Sequence, residues 1–106
     1  MFLLFWLLPN MKTATGKVIK AFRKHLGYTQ EFVAKEINVT TRTIENIESG
    51  KVSADVDKLQ KIAKLFKIRS GLILELATEI VESEDDLWLE KAVKHFRQIS
   101  TGEESE

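Results

Sequence analysis

The sequence predicts an all-α protein, and three observations carry that prediction. Apolar residues recur at three- and four-residue intervals, no stretch alternates with a period of two, and capping residues stand ahead of most apolar runs. One proline and five glycines in 106 residues leave few places where a helix must break. The length fits one domain with a single modest core.

The chain opens on Phe2-Leu-Leu-Phe-Trp-Leu-Leu8, closed by Pro9-Asn10. As a helix this run would reach about 11 Å at ~1.5 Å per residue, far short of a ~30 Å bilayer core. It also lacks the basic flank and small-residue cleavage site of a secretory leader. Met11-Lys12-Thr13 reads like a natural start, so residues 1–10 are expected to be an apolar extension without a structural role, and no membrane association is expected.

From about Thr15, Val18, Ile19, Phe22 and Leu26 form a helical stripe that Gly27 terminates, with Lys17, Lys20, Arg23 and Lys24 between them. Thr29 caps a short second helix whose apolar residues are Val33, Ala34 and Ile37. Asn38, which tolerates the left-handed conformation, can stop it sharply. Thr40 or Thr41 caps a third helix with Ile44 and Ile47 on one side and Ser49-Gly50 at its end. Two short helices joined by a tight turn have the outline of a helix-turn-helix.

Asp55 and Asp57 open a fourth helix that buries Val56, Leu59, Ile62, Ala63, Leu65 and Phe66 while Lys58, Lys61, Lys64 and Lys67 face water. A fifth follows Ser70-Gly71, with Leu72, Ile73, Leu76, Ala77, Ile80 and Val81 on a wide apolar face. Ser83 and an acidic first turn introduce a sixth, amphipathic helix from about Glu84 to Ile99, carrying Trp88, Leu89, Ala92, Val93, Phe96 and Ile99. Residues 100–106 are polar and expected to be a disordered tail.

Net charge is zero, but the sum hides a separation. Residues 1–69 hold 13 basic and 6 acidic side chains (+7), whereas residues 70–106 hold 3 and 10 (−7). The first part attracts a polyanion and the second repels one. With no cysteine there is neither a disulfide nor a thiolate site, which favours a cytoplasmic location.

Residues from about Gly16 to Arg69 resemble the lambda-repressor-like DNA-binding domain, the phage-repressor and Cro type of helix-turn-helix. The match rests on Arg23, Thr29-Gln30-Glu31 with Val33-Ala34, Val39-Thr40-Thr41, and Ile44 with Glu48-Ser49-Gly50; Leu59, Ile62, Ala63 and Leu65 continue it. The family has glycine where this chain has Asn38, a substitution that keeps the backbone accessible. The resemblance implies a five-helix DNA-binding fold, here with an extra C-terminal amphipathic helix; the helix-turn-helix DNA-binding domain is expected over residues 11–70, and the C-terminal helices of 71–99 are read as a dimerisation or partner-binding region.

It also implies roles. The start of the third helix would enter the major groove of double-stranded DNA, with Thr41, Arg42 and Asn46 as base readers. Arg42 can bind both acceptors of a guanine and Asn46 can pair with adenine. Gln30, Thr40, Thr43, Ser49 and Lys51 would contact the DNA backbone, with Lys20, Lys24 and Lys35 adding long-range attraction. Arg23 and Glu48 would form a partly buried structural ion pair. Glu45 would face away from the phosphates or repel wrong registers.

An enzyme is not expected. His25 and His95 have no acid and nucleophile arranged around them, no glycine-rich loop could cradle phosphate, and no metal-ligand spacing or cofactor motif occurs. The acidic third instead suggests a homodimer face at Trp88, Leu89, Val93 and Phe96, since a single reading helix covers few base pairs. Two functions fit: a sequence-specific regulator, read as a dimeric repressor, or an antitoxin-like protein whose C-terminal helices bind a toxin-like partner and whose DNA binding is autoregulatory.

Overall fold

A computed structural model describes the backbone of residues 2–83 and 93–94, and the side chains of 11–83 and 93–94. Within it lie five α-helices: α1 Phe2–His25, α2 Gln30–Glu36, α3 Thr41–Glu48, α4 Val56–Phe66 and α5 Ser70–Glu82. No strand occurs among the described residues. None of the described helices is long and apolar enough to cross a membrane.

The first helix starts earlier than its apolar stripe predicts. Within residues 1–10, read from the sequence as an apolar extension without a structural role, Phe2 to Asn10 are helical backbone continuous with α1. Periodicity reports where a helix packs, and the packed face already includes Met11 and Ala14, upstream of Thr15. The sixth helix expected over 84–99, with Trp88, Leu89 and Phe96, lies outside the described residues except for Val93 and Lys94. Those two are helical, and Val93 is half-buried.

Helix ends follow one local device. After α1, α2, α3 and α4 the chain turns left-handed at Gly27, Asn38, Gly50 and Lys67, with φ of 76°, 62°, 82° and 64°. In each case the next residue's N–H reaches back five residues: Tyr28 to Arg23, Val39 to Ala34, Lys51 to Asn46 and Ile68 to Ala63. These bonds satisfy carbonyls that the helix end leaves open. Starts are capped by Thr29, Thr40 and Asp55, whose side chains accept from the N–H of Phe32, Thr43 and Lys58. The backbone N–H of Lys58, and then its ammonium, hold the exposed Asp55 carboxyl below the ordinary aspartate range. α5 begins without such a bond, on extended Arg69.

The core joins the inner faces of all five helices, with Val18, Ile19, Phe22, Val33, Ile44, Ile47, Ile62, Phe66 and Ile73 fully buried. Phe22 meets Phe66 edge-on with ring centroids 6.4 Å apart, and Tyr28 lies 6.2 Å from the same ring. Val56 departs from expectation. It belongs to the α4 stripe but is 70% exposed, because the stripe runs one turn beyond the edge of the core while Leu59, a turn later, is buried.

Candidate nucleic-acid interface

The sequence of α3 decides which of its sides is free. Ile44, Ile47 and Glu48 are buried and fix the helix to the domain. Arg42, Glu45 and Ser49 are exposed, with Thr41, Thr43 and Asn46 half-exposed, so the outer face carries a cation, a carboxylate and short hydrogen-bonding groups. Arg42 and Asn46 are one turn apart on that face, at the spacing of neighbouring side chains on a helix.

The start of α3 is held by its own hydroxyls. Thr40 Oγ1 accepts from the N–H of Thr43 at 3.1 Å and lies 2.9 Å from Thr43 Oγ1. One hydroxyl proton is used between the two threonines, which leaves the other able to donate outward. Ser49 donates its hydroxyl to the carbonyl of Asn46 at 3.2 Å, so that proton serves the end of α3. Lys51 extends into solvent just beyond it.

Arg23 and Glu48 come together although 25 residues separate them. Arg23 Nε donates to Glu48 Oε2 at 2.6 Å and a terminal guanidinium nitrogen donates to Oε1 at 3.0 Å, a two-point pairing. The other terminal nitrogen donates to the carbonyl of Tyr28 at 2.8 Å. Gln30, expected to face the DNA backbone, gives its amide Nε2 to Glu48 Oε1 at 2.9 Å. With Arg23 8% and Glu48 6% exposed, this network is largely removed from water. No described buried side-chain nitrogen or oxygen lacks a partner.

Sequence reasoning did not single out Gly16. A Cβ there would meet the Ile47 carbonyl and sit 2.6 Å from the carbonyl oxygen of Glu48, so its lack of a side chain lets the end of α3 lie directly on α1. The signal available was a glycine inside an otherwise helical pattern. Gly50 has both requirements at once: its φ is positive, and a Cβ would come within 2.9 Å of the Thr13 Cα.

A helix-turn-helix family model matches residues 19–73, a little over half of the chain. A helix-turn-helix-type transcriptional regulator of Bacillus subtilis, ImmR, is 29% identical over 72 residues, which cover 68% of this chain and 57% of that protein. The chain thus spans a little over half the length of ImmR. Two uncharacterized helix-turn-helix-type transcriptional regulators of Archaeoglobus fulgidus are also similar: one is 39% identical over 48% of this chain and 73% of its own length, the other 33% over 66% and 90%. No solved structure matches. With Asn38 turning the chain between α2 and α3, and with these matches falling on the segment that builds them, the chain belongs to the helix-turn-helix family of the lambda-repressor-like type.

Proposed function

We propose that this protein is a sequence-specific DNA-binding transcriptional regulator, a dimeric repressor that reads the major groove with α3. The observation that carries the reading is the division of α3 itself. Its inner side is anchored by Ile44, Ile47 and Glu48, while Thr41, Arg42 and Asn46 remain accessible on the outer side. A helix held rigidly on one face and polar on the other suits groove insertion, because its side chains reach base edges without unfolding the domain.

Thr40, Thr43 and Lys51 flank the readers and would hold phosphates, with Gln30 contributing the second N–H of its amide, while Ser49 would reach a phosphate by exchanging its bond to the Asn46 carbonyl. The similar regulators from Bacillus subtilis and Archaeoglobus fulgidus support the same reading. The repressor mechanism is occlusion: a bound dimer covers two half-sites about 34 Å apart and competes with other proteins for that DNA. The test is selection of bound sequences from a random duplex pool with purified full-length protein at moderate salt. A palindromic consensus is expected; absence of any enrichment would overturn the reading.

A further inference from the structure

The amide of Gln30 can be oriented by chemistry alone. A carboxylate only accepts hydrogen bonds, so the nitrogen end of the amide must face Glu48, as the 2.9 Å contact places it. Glu48 therefore takes three donors from two elements: two from Arg23 in α1 and one from Gln30 at the start of α2. Arg23 also binds the Tyr28 carbonyl, in the loop that delivers the chain into α2. One carboxylate at the end of α3 thus fixes its position relative to both neighbouring helices.

We propose that Gln30 is a positioning residue for base reading, acting through Glu48 rather than through DNA alone. The inference rests on the DNA-reading function of α3 proposed above. Arg23 holds Glu48 from the α1 side and reaches the loop before α2 through the Tyr28 carbonyl, whereas Gln30 is the side chain of this network that bonds Glu48 from α2 itself. Ile44 and Ile47 still seat the helix, but without the Gln30 bond its end can tilt slightly against α2, and Arg42 and Asn46, which must meet base edges within hydrogen-bond tolerance, would lose register. Phosphate contacts from flexible side chains tolerate the same tilt. A phosphate contact by Gln30 itself would behave differently, because its loss weakens binding to all sequences alike.

The experiment compares wild type with Gln30→Met, which keeps the length and aliphatic packing of the side chain but removes the donor. Affinities are measured for the selected consensus duplex and for a random-sequence duplex, well below the melting temperature of each protein. The ratio of the two affinities is expected to fall about tenfold, comparable to one misread base pair. Amide hydrogen exchange in the DNA-free variant is expected to quicken at the end of α3. An equal loss on both duplexes, or no loss, overturns the proposal even when the pool selection has succeeded; a failed selection would instead remove the DNA reading itself.

Discussion

At the scale of single residues, two positions in α1 govern how α3 is seated, one by charge and one by having no side chain. Arg23 cannot be removed without leaving the Glu48 carboxylate buried with only Gln30 to satisfy it. Breaking a buried pair from one side costs on the order of 3–5 kcal/mol, more than the pair itself contributes relative to an apolar substitute. Arg23→Ala is therefore expected to lower the melting temperature by on the order of 15 °C or more, read by thermal denaturation. Gly16 tests the opposite case. Alanine is the better helix former by about 1 kcal/mol, yet its methyl group would press on the backbone of Ile47 and Glu48, where relief requires α3 to move. Overpacking costs about 1–3 kcal/mol, and rigid backbone atoms put this site at the upper end. Urea denaturation should show Gly16→Ala to be net destabilised, whereas Gly71→Ala, where a Cβ meets nothing within 4 Å, should be neutral or stabilised.

At the scale of elements, the ends of helices were the most legible part of the chain, because a left-handed terminator is a local requirement that residue type reveals. Gly27, Asn38 and Gly50 could be assigned from the sequence for that reason, as could the caps Thr29 and Asp55. Lys67 could not, since lysine has no preference for φ of 64° and only the bond from Ile68 to Ala63 shows why the chain turns there. This makes Lys67→Gly informative: the left-handed conformation costs a side-chain-bearing residue about 1–2 kcal/mol, partly offset by the greater backbone freedom of glycine when unfolded. A net gain of roughly 0.5–1 kcal/mol is expected in chemical denaturation. Packing between elements was less legible. Val56 fits the apolar period of α4 yet lies 70% exposed, because period alone does not say where a neighbouring helix ends. The close approach at Gly16 and the bond from Gln30 to Glu48 likewise depend on which helices meet, and only the family resemblance pointed to Arg23 and Glu48.

At the scale of the whole molecule, the proposed function asks how a reading helix of eight residues would achieve specific binding. One such helix covers only a few base pairs, so useful selectivity comes from linking two copies and making the second contact effectively intramolecular. The described chain measures 39 × 35 × 20 Å, a size comparable to one DNA turn, ~34 Å, which is the spacing that two half-sites require. The charge separation fits that arrangement. The basic residues 1–69 would face DNA, and the acidic residues 70–106 would be kept away from it, where they can meet the second copy. Trp88, Leu89, Val93 and Phe96 supply apolar side chains in that acidic part, and if the proposed dimer forms through them, their loss should separate the copies without altering α3. Trp88→Ala combined with Phe96→Ala is expected to sediment as a monomer with unchanged helix content, and to bind the palindromic consensus roughly 100-fold more weakly. Its affinity for an isolated half-site should equal that of wild type. A double variant that still sediments as a dimer and keeps full affinity would place the contact between copies elsewhere on the chain.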